Sequence, residues 1–219
     1  MLSYDGTNDG ATAIRGKYGL PATGTEISDG SGLGSEFVDA RVIFDRDAGD
    51  GDGSGWGLAD GSVVFTNWVD GVFFATFFHF DPVRAIAPIV IGVPSGGSPR
   101  AEGTEDTAVW SGKVAGRQIS PLGHVDGKAK LTYDFGDASL DVLLHQLNFH
   151  PRSSAPVDPV ANISWDDLSV SEGVFGDCSG SGNCVRGRFY YDNEGTWAES
   201  AGGVFRHGKL RGAFGAERE

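Results

Sequence analysis

The sequence predicts an all-β protein whose C-terminal half closes into an eight-stranded antiparallel up-and-down β-barrel, preceded by a smaller β-rich unit. Three observations carry this. Apolar and polar residues alternate with period two through the last half of the chain, and no helical period competes. Glycine, at 35 of 219 residues, is about twice as common as its usual share.

The alternation is clearest at the C-terminus. In KLRGAFGA, Leu210, Gly212, Phe214 and Ala216 share one face, while Lys209, Arg211, Ala213 and Gly215 share the other, giving a dry side and a wet side. In VDGKAKLTYDF, Val125, Gly127, Ala129, Leu131, Tyr133 and Phe135 alternate with Asp126, Lys128, Lys130, Thr132 and Asp134, the pattern of a half-buried antiparallel strand. AVWSGKVAG places Ala108, Trp110, Gly112, Val114 and Gly116 together, and CVRGRFYYD sets Val185, Gly187, Phe189 and Tyr191 against Arg186, Arg188 and Tyr190. ASLDVLLHQLNF is apolar on both faces, through Leu140, Val142 and Leu144 on one and Leu143, Leu147 and Phe149 on the other, which predicts cover on both sides.

Eight strands follow, at 107–117, 124–135, 138–149, 161–168, 172–177, 184–192, 200–207 and 209–217, separated by turns such as FGDAS, CSGSGNC and RHGK. Eight neighbouring antiparallel strands can close and so remove their exposed edges. Closure also accounts for the glycines, because an inward glycine supplies curvature and missing volume. Gly112, Gly127, Gly187, Gly203 and Gly212 all fall on predicted inward faces.

Upstream, strands are predicted in FVDARVIFD, GSVVFTNW, VFFATFFHF and PIVIGV, and Ser95–Asp106 reads as the linker into the barrel. The predicted division is 1–105 for the β-rich N-terminal unit and 106–219 for the barrel. The most apolar region, Gly71–Val93, is interrupted by His79, Asp81, Pro82, Arg84 and Pro88, so it reads as two buried strands and not as a membrane span. The opening MLSYDGTNDG lacks the pattern of a secretory signal, which by itself assigns no compartment.

Fourteen phenylalanines and five tryptophans supply the apolar area to offset chain entropy, so the chain is expected to fold. A net charge of −13 argues against nucleic acid and anionic membrane surfaces as partners. The two cysteines, Cys178 and Cys184 in DCSGSGNC, are separated by small residues able to close a loop. A disulfide pinning a hairpin tip is preferred over two free thiols, and it implies a compartment outside the cytoplasm. No Cys or His pair at zinc spacing accompanies them.

The segments AVWSGKVAGRQI, VRGRFYYDNEGTWAESAGGVF and RGAFGAERE together resemble the C-terminal β-barrel domain of bacterial transferrin-binding protein B-like surface proteins. That family typically carries a G-R-F-Y-G-P run, an A-E-E-x-G-G-x-F segment and a G-A-F-G-A-K-R-like strand. Gly187, Arg188, Phe189 and Tyr190 match the first; Ala198, Glu199, Gly202, Gly203 and Phe205 match the second; Gly212, Ala213, Phe214, Gly215, Ala216 and Arg218 match the third. Tyr191 replaces the usual glycine, DNEGTW stands in place of a shorter turn, and Ser200 sits where a second glutamate is common. The resemblance implies an eight-stranded barrel, often with a smaller handle before it, exposed on a bacterial cell surface or secreted. It also implies binding of a host iron protein, haem or a complement regulator through variable loops and handle surfaces. No individual contact carries over to this sequence, and the partner, protein or small ligand, stays open, as does the oligomeric state.

Catalysis is not expected, because no G-x-S-x-G elbow, H-E-x-x-H or Walker pattern is present. His79, His124, His145, His150 and His207 are scattered, and the five-residue separation of His145 and His150 predicts opposite strand faces, which favours surface histidines over a metal pair. The loop DRDAGDGDGSGWGLAD offers Asp47, Asp50 and Asp52, with Asp45 and Asp60, as calcium ligands. It lacks the twelfth-position glutamate of an EF-hand, so a solvated turn is the competing reading.

Phe77, Phe78, His79 and Phe80, with Phe73 and Phe74, are a candidate ligand-binding wall in which His79 faces haem, or else plain core. No resident cofactor is expected, with haem and calcium as the open alternatives. The bulky inward residues Trp110, Tyr133, Phe189 and Phe214 are predicted to fill the barrel. The expected function is therefore a non-catalytic binding module outside the cytoplasm. The alternative is a carrier holding haem or a lipid in the barrel or between the two units.

Overall fold

The computed structural model describes residues 54–57, 63–69, 72–79, 85–92, 94–119, 122–151, 160–178, 182–191 and 196–219, and among them every named element is a strand. Four form an antiparallel sheet in chain order: β1 (Ser54–Gly57), β2 (Val63–Val69), β3 (Val72–His79) and β4 (Ala85–Gly92). Eight form a closed barrel: β5 (Thr107–Ile119), β6 (Leu122–Asp134), β7 (Ser139–Pro151), β8 (Ile163–Ser171), β9 (Val174–Asp177), β10 (Asn183–Tyr190), β11 (Ser200–His207) and β12 (Leu210–Arg218). Each barrel strand pairs antiparallel with the next, and β12 closes the ring on β5. The predicted up-and-down barrel is therefore the observed one. The region read as two buried strands is the β3–β4 hairpin, and the predicted strand in FVDARVIFD lies outside the described residues.

The barrel interior is filled. Trp110, Phe189 and Phe214 are at most 1% exposed and Tyr133 is 4% exposed. Phe189 lies at the centre of this packing, its ring 5.0 Å from Trp110, 5.7 Å from Phe175 and 6.3 Å from Tyr133. The tilted and edge-on geometries are those that the ring quadrupoles favour. The Trp110 indole N–H, which would be costly to bury alone, donates to the Ala198 carbonyl at 2.9 Å.

Three of the inward glycines have a shared purpose. Gly187 stands directly opposite Phe175, Gly203 opposite Phe214, and Gly212 opposite Phe205. In each pair the ring lies where a side chain on the glycine would go. The chain thus alternates ring and gap across neighbouring strands, which lets large aromatics pack inside a narrow barrel.

The two-faced reading of β7 is corrected by a bulge. Gly127 faces two residues of β7, because Asp126 pairs with Asn148 while Lys128 pairs with His145, and Gln146 adopts a positive φ of 51°. The extra residue reverses the parity of the strand. Leu140, Val142 and Leu144 point inward before the bulge and Leu147 after it, with Phe149 packed against the same core, while Leu143 is left outside that core and half-buried. A second bulge in β8 sets Asp166 and Asp167 against Asp141. Asp167 has φ 56°, and its backbone N–H donates to the Asp141 carboxylate at 2.9 Å.

The outer wall is not uniformly wet. Ala213, Gly215 and Tyr190, expected on the solvent side, are buried, because the four-stranded sheet packs on the outside of the barrel there. Val69, Val72, Phe74 and Val90 from the sheet meet Ala115, Tyr190 and Ala213 of the barrel. Gly202 and Gly215 form a cross-strand pair beneath them, Gly202 under Val72 and Val90 and Gly215 under Phe74 and Val69. The absent side chains let the sheet approach the barrel backbone.

The segment predicted as a linker is tied down. The Ser95 N–H donates to the Phe189 carbonyl at 3.1 Å, and the Trp197 indole donates to the Ser98 carbonyl at 3.2 Å. The Arg100 guanidinium sits 4.9 Å above the Trp197 ring. Arg218, whose side chain is 8% exposed, meets Glu102, Glu105 and Glu199.

Candidate binding surface

With the barrel interior filled, the open surface lies on the outer wall, and one gap in it follows the β8–β9 seam. Pairing between β8 and β9 stops after Val170–Phe175 and Ser171–Val174. β9, by contrast, pairs along its whole length with β10. At this seam lies an open cleft of about 620 Å³.

Chemically the cleft is one-sided. Ser169 and Ser171 line one flank, Arg186 and Arg188 the other, with Phe175 and Gly187 at its base. Val174 at its lip is 44% exposed, the one large apolar side chain so exposed among the described residues. The disulfide Cys178–Cys184 borders it and joins the two ends of the β9–β10 connection as expected. The Arg186 Nε–H donates to Cys178 Sγ at 3.2 Å, which holds that guanidinium against the wall. Hydroxyls and guanidiniums above an apolar base suit an anionic group carried on an apolar body.

The other predicted site residues are not brought together here. Phe77, Phe78 and His79 lie in β3, where His79 pairs with Ala85, while Phe80 and the candidate calcium ligands Asp47, Asp50 and Asp52 lie outside the described residues. Among the described residues no group of three His, Cys, Asp or Glu side chains is placed to hold a metal ion.

The histidines are less scattered than the spacing suggests. His145 and His150 share the outer face, because the Gln146 bulge cancels the odd separation. His150 stands directly opposite His124 with the rings stacked at 4.5 Å, and its Nε2 meets the Asp126 carboxylate at 2.5 Å. The other Asp126 oxygen accepts from the Asn148 amide at 3.0 Å. Burial first, then the His150 charge, holds the His124 imidazole below its ordinary pKa. Asp126 opposes that shift and Arg117 adds to it. Tyr190, wholly buried under the sheet, has its phenol pushed far up by desolvation.

No protein-family model and no curated protein sequence matches this chain. Solved structures do. A single-substitution variant of the vaccine antigen transferrin-binding protein B (TbpB) from Haemophilus parasuis Hp5 superposes with a TM-score of 0.50 at 15% identity, over 76% of this chain and 37% of that one. The fold is shared with TbpB. A double-substitution variant of the same antigen gives a TM-score of 0.45 at 16% identity, over 72% of this chain and 34% of that one. This chain thus spans little more than a third of TbpB, and at such identity the likeness is one of fold alone.

Proposed function

We propose that this protein is a non-catalytic, extracytoplasmic binding module. In this reading residues 106–219 form a rigid scaffold, and residues 1–105 with the barrel loops recognise a partner protein. The observation that carries it is the filled interior: Trp110, Phe175, Phe189 and Phe214 occupy the space that a carried ligand would need. The Cys178–Cys184 disulfide supports an oxidising compartment. The fold shared with TbpB, a protein named for binding transferrin, supports recognition of a protein over chemistry on a small substrate. At 15% identity over 37% of TbpB, transferrin itself is not carried over.

Two measurements test this. Haem added at equimolar ratio is expected to leave the Soret band of free haem unchanged, and native mass spectrometry is expected to show the bare chain mass. A sharp Soret shift, or a lipid that travels with the protein, overturns the reading in favour of a carrier. Immobilised protein is then expected to capture a partner from host serum, and the same partner, purified, should bind directly.

A further inference from the structure

One end of the barrel carries a row of basic side chains that only the register reveals. Arg206 on β11 pairs with Arg211 on β12, Arg211 with Arg117 on β5, Arg117 with His124 on β6, and His124 with His150 on β7. Their chain neighbours Phe205, Gly212, Gly116, Val125 and Phe149 turn inward or pack against the core, so all five belong to the outer wall. At about 4.8 Å between strands the row is about 19 Å long. A second row, Lys113–Lys128–His145, runs parallel to it on β5, β6 and β7. Between the two rows lies one acid, Asp126, which His150 and Asn148 already engage.

Like charges directly opposite on neighbouring strands are destabilising, and this chain has 30 acids against 17 bases with which to relieve them. The fold does so elsewhere. At the far end of β12, Arg218 is met by three glutamates. No acidic side chain among the described residues pairs with Arg206 or Arg211. Arg117 is buried and engaged, and holds its place in the row without needing to touch a ligand.

We propose that this outer-wall row, with exposed Arg206 and half-exposed Arg211 as its accessible cations, is a docking strip for an acidic segment of a partner protein. A net charge of −13 repels large polyanions and anionic bilayers, whose charge extends well beyond the row. Screening over about 8 Å at physiological salt lets the strip act on what lies directly against it. A short extended run of Asp and Glu, about six residues at 3.3 Å each, matches the row in length, and the alternate carboxylates that face the wall can reach Arg206 and Arg211. Each carboxylate suits the forked guanidinium donors. The strip is separate from the β8–β9 cleft and from the loops invoked above, so the inference goes beyond that reading.

The test is fluorescence anisotropy of a labelled octa-glutamate peptide against the whole protein at about 50 mM salt. Binding is expected, with loss at high salt. The double variant Arg206→Gln/Arg211→Gln should weaken it about tenfold or more. Lys128→Gln/Lys130→Gln, the same change of net charge elsewhere on the wall, should leave it within about twofold. Circular dichroism confirms that both variants are folded. Failure of the peptide to bind, or equal weakening by the two double variants, overturns the proposal. So does binding of phosphatidylserine vesicles in place of the peptide. None of these outcomes bears on haem exclusion or serum capture.

Discussion

Gly203 and Phe214 stand directly opposite on β11 and β12, and the Phe214 ring fills the space a side chain at Gly203 would take. A Cβ there would come 2.6 Å from the ring's Cζ and 2.8 Å from the Arg186 carbonyl oxygen, so neither ring nor backbone has room for it. Gly203→Ala is expected to destabilise by about 1–3 kcal/mol through overpacking, and Phe214→Ala by about 3–5 kcal/mol through the cavity it leaves. In the double variant the ring no longer crowds the new methyl, so the combined loss should be smaller than the sum. Urea unfolding of the four proteins in this cycle gives the coupling. Additive losses would mean that the ring does not depend on the gap.

Gly215 has the same intolerance on the opposite side of the wall, with a different consequence. A Cβ would lie 2.6 Å from Phe74 Cδ1 and 3.2 Å from Val69 Cγ2, both side chains of the N-terminal sheet. Gly215→Val should therefore loosen the sheet from the barrel before it disturbs the barrel itself. Amide exchange in 72–79 and 85–92 is expected to quicken, with β6 and β7 unchanged. Uniform acceleration across the barrel would show that Gly215 is needed for closure and not for docking of the sheet.

Arg218 connects the end of β12 to the segment before β5. Its guanidinium meets Glu105, Glu102 and Glu199, lies 5.7 Å above the Trp110 ring, and donates to the Arg100 carbonyl. Arg218→Gln leaves those carboxylates facing one another and should cost about 2 kcal/mol. Limited proteolysis should then cut within 98–106 sooner than elsewhere. Resistance equal to that of the parent would show that Trp197 and Arg100 hold the segment without help.

Much of this architecture was legible because the barrel writes its two faces into alternate residues. All eight barrel strands lie where the alternation puts them, most within a few residues at each end. The bulges were missed, yet they leave a mark: Leu144-His145-Gln146-Leu147 and Trp165-Asp166-Asp167-Leu168 each place two polar residues between apolar ones where strict alternation allows one. Reading that doublet as an inserted residue would have put His145 and His150 on one face. The burial of Ala213 and Gly215 was also signalled faintly, since small residues without a polar chain are poor candidates for a solvated face. Nothing local announces the row Arg206, Arg211, Arg117, His124 and His150. It exists only once β12 closes on β5, joining residues from opposite ends of the barrel sequence. The β8–β9 cleft is equally hidden, because it depends on where pairing stops.

The stacked pair His124 and His150 gives a pH signature with a definite sign. Burial, followed by the neighbouring imidazole, disfavours the charged form of His124, with Arg117 acting in the same direction and Asp126 against it. Its pKa in the fold thus lies below the ordinary 6.5. Between those two values the unfolded chain binds the additional proton, so stability rises with pH in that window. The contribution of neutral His124 is complete above about 6.5 and is lost as pH falls through the folded value. The urea midpoint is expected to drop as pH falls below about 6.5, and His124→Gln, which cannot charge, should flatten the part of that drop nearest 6.5. A variant whose midpoint falls as steeply as the parent's through that window would place the titrating group elsewhere on the wall.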